Sequence, residues 1–211
     1  MANRVAGVSE KLMECAAKEF LAHGYGGASL RAISENAGTT PRSVYTRYGD
    51  KEGLFRALTD PVAVGLKTLF EDCMLRFQHK PAAEQKWLFR DGAFAEEYRE
   101  YMRSILDFMY ANWDRCRLLI CCSEGTTRAS YLDELAAIEE KYTLLYIACT
   151  GNDALSSGRA QPLLIHLLCS SFIYGFFEIV RHDMERPEAE TYLGQLQEFY
   201  ACGWADLLRA G

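Results

Sequence analysis

The stretch LRAISENAGTTPRSVYTRYGDK, Leu30–Lys51, decides the fold. It reads as two short helices joined by a glycine turn. Ser29 stands where it can cap Leu30–Asn36, and Ile33 and Ala37, four residues apart, share a small apolar face. Gly38 follows directly, and glycine ends a helix at positive φ without a Cβ penalty. Thr40 then takes an N-cap position and Pro41 the first helical one, where its missing N–H costs nothing, so the spacing predicts a second helix from Pro41 to about Tyr48. Asp50 can cap a third helix that starts at Lys51. The arrangement is a helix-turn-helix.

Within the second helix Val44 and Tyr48 share a stripe suited to packing, which leaves Thr40, Arg42, Ser43, Thr46 and Arg47 pointing outward. No carboxylate occurs from Asn36 to Gly49. Hydroxyls and N–H groups at a helix N-terminus suit phosphate oxygens, and arginines bind guanine edges or phosphates. The surface fits the major groove of DNA. Taken locally, the pattern also suits any three-helix packing unit, so neighbouring motifs have to separate the two.

Those motifs are LMECAAKEF at Leu12–Phe20, HGY at His23–Tyr25, SLRAISENAG at Ser29–Gly38, SVYTRY at Ser43–Tyr48 and DKEGLF at Asp50–Phe55. As a set, from Leu12 to Phe55 without a gap, they resemble the DNA-binding domain of the TetR family of transcriptional regulators. The resemblance implies that Tyr45 contacts a phosphate and that Lys51 holds the DNA backbone. It also implies a recognition surface of Thr40, Arg42, Ser43, Thr46 and Arg47. Adding the flanking Ser29, Arg31, Thr39 and Tyr48 completes the expected DNA-facing set. Two positions depart from the family pattern, which often has a small aliphatic residue at Thr39 and a glycine at Arg42. An arginine at position 42 argues for a base or phosphate contact there in place of close backbone approach.

A chain of 211 residues that is 49% hydrophobic can bury a substantial core. No apolar run is read as membrane-spanning and no signal segment is read at the N-terminus, so a cytoplasmic protein is expected. The net charge of −6 is unevenly divided. Residues 1–56 carry eight Lys/Arg against six Asp/Glu, a net +2, and the remainder carries fifteen against twenty-three, a net −8. With screening over about 8 Å at physiological salt, an acidic body is compatible with a basic head on DNA. The eight cysteines form no C-x-x-C pair and have no histidine spaced to complete a metal site, so neither metal nor cofactor is expected. The adjacent Cys121 and Cys122 leave a thiol sensor open.

The pattern is helical throughout, giving an all-α chain. A DNA-binding domain is expected over 1–52 and a helical ligand-binding and dimerisation domain over 53–211. The first helix is predicted at about Ser9–Ala22, stopped by Gly24. A long helix from Lys51 to about Gln78 contains Pro61, which implies either a kink or a break. Pro81 and the Trp87–Phe89 segment suggest a short turn. The segment 93–112 places Phe94, Tyr98, Tyr101, Met102, Ile105, Phe108 and Met109 on more than one face. That describes a core helix or an adaptable pocket wall, to which Trp113, Tyr142, Tyr146, His166 and Phe172 are added as candidate ligand contacts.

Two last helices, about Pro162–Met184 and Pro187–Leu208, form a hairpin. Its apolar stripes include Leu164, Leu168, Ser171, Phe172, Gly175 and Ile179 on one helix and Leu196, Tyr200, Gly203, Trp204 and Leu207 on the other. They close the monomer core or pair with a second hairpin in a four-helix bundle, and the TetR-like resemblance places a homodimer interface here. Paired readers would enter successive major grooves roughly 34–36 Å apart on a near-palindromic operator. The expectation is a ligand-responsive regulator, a repressor released by a small apolar or aromatic effector. A helical small-molecule binder or thiol sensor without operator binding is the alternative, and no residue constellation nominates an enzyme.

Overall fold

The computed structural model describes residues 2–78 and 92–208, and the side chains of all of these but 2–8, 73, 74, 76–78 and 92–98. Among the described residues there is no strand, and the helices are α1 (Ala2–Gly27), α2 (Leu30–Asn36), α3 (Pro41–Tyr48), α4 (Lys51–Gln78), α5 (Gly92–Ala111), α6 (Trp113–Cys121), α7 (Tyr131–Thr150), α8 (Pro162–Arg181) and α9 (Arg186–Leu207). The suggested turn at Pro81 and Trp87–Phe89 lies outside the described residues. The chain divides into two compact units, Met1–Gly65 with Asn112–Tyr131, and Leu66–Ala111 with Leu132–Gly211. This differs from a cut after residue 52. The first turns of α4 and a segment sixty residues further on pack with the head, and the head's core is incomplete without them.

The first unit grows from one apolar cluster. Leu12, Ala16 and Phe20 from α1, Ile33 from α2, Val44 from α3 and Leu54, Phe55 and Leu58 from α4 are buried together, joined by Leu118 and Cys122. Phe55 meets Phe20 edge-on at 5.1 Å and Tyr25 at 5.5 Å. Each buried phenylalanine contributes about 1.5–3 kcal/mol by leaving water, and such ring pairs add about 0.5–1.5 kcal/mol. Helix α1 starts at Ala2, earlier than its hydrophobic pattern indicated, and its backbone leaves helical angles at Gly24 (φ 66°, ψ 172°). Gly38, at φ 67°, makes the turn between α2 and α3. Gly53 is required for another reason: a Cβ there would lie 1.8 Å from the Tyr48 carbonyl oxygen, so α3 and α4 meet on bare backbone.

Segment 112–131 closes onto this head. The Tyr25 amide donates to the Cys122 carbonyl at 3.0 Å. Glu52 Oε1 accepts from the Thr127 amide and hydroxyl at 2.9 and 2.7 Å, and these bonds hold the carboxyl below the usual range. Arg128 donates twice to Asp60 Oδ1, at 2.9 and 2.6 Å, while Arg56 takes Oδ2. The Tyr131 hydroxyl donates to the Ala63 carbonyl at 2.7 Å. Helix α4 runs through Pro61 without a break, and the proline is exposed.

In the second unit Met102, Ile105, Leu106 and Met109 of α5 are buried, and Phe70, Phe176 and Phe177 form a ring cluster with centroids 5.1–6.4 Å apart. Helices α8 and α9 pair closely where Gly175 faces Leu196 and its carbonyl accepts from the Tyr192 hydroxyl at 2.7 Å. A second cluster joins Ile147, Ile165, Cys169 and Leu208, backed by Tyr146 and Trp204. Helix α8, with mean hydropathy 1.9, is long and apolar enough to cross a membrane, a length and composition that the sequence reading passed over. Less than half of its apolar window, 44%, is buried within the chain.

Candidate functional site

The reading helix is positioned by its packing. Val44 is fully buried and Tyr48 packs against the same core, which turns the opposite face of α3 to solvent. On that face Arg42, Tyr45, Thr46 and Arg47 are exposed, Tyr45 to 54%. Thr40 has the extended backbone of an N-cap, but its hydroxyl makes no capping bond, in contrast to Ser29, whose Oγ accepts from the Ala32 amide at 3.3 Å. Thr46 donates to the Arg42 carbonyl at 2.8 Å, and Arg47 donates from Nη1 to Ser9 Oγ at 2.6 Å. Arg47 also lies in the last turn of α3, where a cation complements the helix dipole.

The remaining residues expected to face DNA divide in two. Thr39 and Ser43 are half-buried, with their amides donating to the Ser34 and Thr40 carbonyls at 2.9 Å. Arg31 is exposed and paired with Glu35 at 2.8 Å. The Lys51 ammonium donates to the Gly26 carbonyl at 3.1 Å and lies 4.8 Å above the Tyr25 ring. It therefore ties α4 to the end of α1, a contact absent from the role expected for it. Tyr25 in turn is pushed up in pKa by burial and by the charges of Glu52 and Asp50.

The expected effector contacts are not a single group. Met102, Ile105, Met109 and Phe172 are buried in the second unit, and Tyr101, Phe108, Tyr142 and Tyr146 are half-buried there. Burial raises the pKa of the Tyr146 hydroxyl. Trp113 belongs to the first unit. The side chains of Phe94 and Tyr98 lie outside the described residues. His166 has to be moved off the list of interior residues: it is exposed on α8, with Nδ1 2.8 Å from Glu140 Oε2, because its side of the helix turns away from Ile165 and Cys169.

Sequence reading missed Glu139. It falls on the inward side of α7, four residues after the fully buried Leu135, and its Oε2 is sealed from solvent with no hydrogen-bond partner among the described residues. Burial pushes its carboxyl up to about 7. An acidic residue beside another acid, in a stretch reading IEEKY, looks like a solvated face, so only the register of the helix reveals it. Gln197 Nε2 on α9 is sealed and without a partner in the same way.

The hairpin stripe also splits. Phe172 and Ile179 are buried within the chain, Phe172 with its ring 5.2 Å from that of Tyr200 on α9. Leu168, Gly175, Leu196, Tyr200, Trp204 and Leu207 are half-buried, whereas Leu164, Ser171 and Gly203 are exposed. Outward apolar residues beside Leu164 are Leu163 (65% exposed), Leu167 (52%), Tyr174 and, on α9, Phe199 (73%). Among the described cysteines, Cys121, Cys149 and Cys202 are exposed, while burial raises the thiols of Cys116 and Cys169 to about 12. Cys122 is buried and likewise raised, which leaves the Cys121–Cys122 pair without a ready thiolate on its inner member.

Residues 12–58 match the family described as bacterial regulatory proteins, tetR family. The HTH-type transcriptional repressor AcnR of Corynebacterium glutamicum is 39% identical over 49 residues, which are 23% of this chain and 26% of that protein. The match therefore spans about a quarter of the repressor's length. The crystal structure of the TetR family transcriptional regulator PfmR from Thermus thermophilus aligns over 95% of this chain and 98% of its own, with TM-score 0.51 and 16% identity, a likeness of fold. Residues 12–58 thus carry the signature of the tetR family of bacterial regulatory proteins across the helix-turn-helix, within an all-helical fold of the same kind as that of PfmR.

Proposed function

We propose that the chain is a ligand-responsive repressor that binds a near-palindromic operator as a homodimer in the cytoplasm and leaves it when a small, largely apolar effector enters the second unit. No cofactor takes part. The observation that carries this reading is the solvent face of α3, where Thr40, Arg42, Tyr45, Thr46 and Arg47 stand in a stretch free of carboxylates. Phosphate contacts supply orientation and a salt-dependent affinity, and the exposed Arg42 and Thr46 are the side chains assigned here to base edges. A single head with a net charge of +2 is a weak ligand for DNA; two heads held by one dimer double the contact. The apolar outer face of the α8–α9 hairpin, with Leu163, Leu164, Leu167 and Phe199, supports the pairing.

The test is selection of bound fragments from a random duplex pool by the full chain, followed by titration of the selected sequence at several salt concentrations. Two half-sites about one helical turn apart are expected, with affinity falling steeply as salt rises. Arg42→Ala combined with Tyr45→Ala should abolish selection while the fold is kept. No enrichment, or enrichment that survives the double variant, would favour a helical small-molecule binder without an operator.

A further inference from the structure

Helix α3 carries two arginines, and they do not stand on one face. At about 3.6 residues per turn, Thr46 falls about 40° around the helix from Arg42, whereas Arg47 falls about 140° from Arg42 and only about 60° from the buried Val44. Arg42 and Thr46 therefore share the outermost face, where the Thr46 hydroxyl donates to the Arg42 carbonyl at 2.8 Å. Arg47 lies on the flank. There its Nη1 donates to Ser9 Oγ of α1 at 2.6 Å, a charge-assisted bond across 38 residues of sequence. Ser9 is half-buried and stands one helical turn before the fully buried Leu12, so the core of the head fixes where its hydroxyl lies. Both residues belong to the first unit.

A reading helix of this motif meets base edges with its N-terminal residues. Arg42 belongs to the first turn of α3; Arg47 belongs to the last, off to one side and tied to another helix. We propose, resting on the DNA-binding reading above, that Ser9 is a positioning residue: it aims Arg47 at a phosphate of the DNA backbone, and this arginine clamps the duplex without reading its sequence. The chemistry of the pair fits an anionic oxygen. A guanidinium has several N–H donors, so the bond to Ser9 leaves others free for phosphate, and a hydroxyl that accepts at oxygen keeps its own proton to donate. Anchoring also removes rotamer freedom that an untethered arginine loses only when DNA binds. Ser9 precedes the matched stretch 12–58, and none of the motifs that mark the helix-turn-helix nominates it.

The experiment titrates the full chain against a fluorescently labelled duplex of mixed sequence, by anisotropy, over a series of salt concentrations. No operator is needed, because phosphate contacts act on any duplex. Arg47→Ala should flatten the dependence of log affinity on log salt by about 0.9 for each head bound, the share of one phosphate contact. Arg47→Gln serves in its place should the alanine variant fail to fold by circular dichroism. Ser9→Ala keeps the charge, so the slope should stay, while affinity falls about threefold to tenfold, the scale of one lost hydrogen bond. Ser9→Thr, which retains the hydroxyl, should restore it. In the Arg47→Ala background Ser9→Ala should have no further effect, since the serine acts through the arginine. On a selected operator, Arg47→Ala should weaken every single-base variant by the same factor. An unchanged slope in Arg47→Ala, a Ser9→Ala loss that adds in full to it, or an altered preference at one base position would overturn the proposal. Salt-dependent duplex binding with no selectable operator would overturn the operator reading and leave the clamp standing; no duplex binding at all would overturn both.

Discussion

A carboxyl held protonated inside the second unit should make the protein lose stability as the medium becomes less acidic. The Glu139 carboxyl sits at about 7 in the folded chain, raised from 4.5 by burial. The folded state therefore holds this proton more tightly than the unfolded state does. The resulting stabilisation is complete below about pH 4.5 and disappears as the pH climbs through 7. Each tenfold difference in proton affinity between the two states is worth about 1.36 kcal/mol, so the change between pH 5 and 8 amounts to roughly 2–3 kcal/mol. Urea unfolding of the wild type and of Glu139→Gln at pH 5, 6, 7 and 8, followed by far-UV circular dichroism, isolates it, because every other titrating group is common to both chains. The gap between the two stabilities should change by that amount over the range. Curves that run parallel would refute the assignment of a desolvated, uncompensated carboxyl to this position.

Gly53→Ala places a methyl 1.8 Å from the Tyr48 carbonyl, so it should destabilise the head by about 1–3 kcal/mol and weaken DNA binding in gel-shift titrations. Arg128→Met removes two bonds to the half-buried Asp60 and should lower stability by about 1–3 kcal/mol; a double-mutant cycle with Asp60→Asn measures the coupling. Leu163→Glu with Leu167→Glu puts charge on the exposed face of α8, and light scattering should show a monomer with an unaltered helical spectrum.

What could be read from the chain follows the range of the forces involved. The bounds of α2 and α3 were legible because they are set within four residues by Ser29, Gly38, Pro41 and Gly49, and the outward turn of Arg42 and Tyr45 follows from the burial of Val44. The membership of α6 in the head was not legible. It rests on Leu118, Cys122 and Thr127 meeting partners about a hundred residues or about seventy-five residues earlier, and no local pattern encodes such a meeting. His166 stands among leucines in the sequence and Glu139 beside another acid, whereas helical phase turns the first outward and the second inward. On α8 the apolar residues surround the helix too widely for the sequence to tell Ile179, which is buried, from Leu167, which is not.

The closing of segment 112–131 over the head has a consequence for synthesis. Leu118 and Cys122 complete the cluster around Phe20 and Phe55, and Thr127 and Arg128 secure the first turns of α4. When the ribosome has released only the first sixty-five residues, the reader lacks part of its floor, and it stays unfinished until residue 131 has emerged. A nascent chain thus reaches a finished head only after segment 112–131 has been made, and a fragment truncated at residue 65 should be a poor substitute for it.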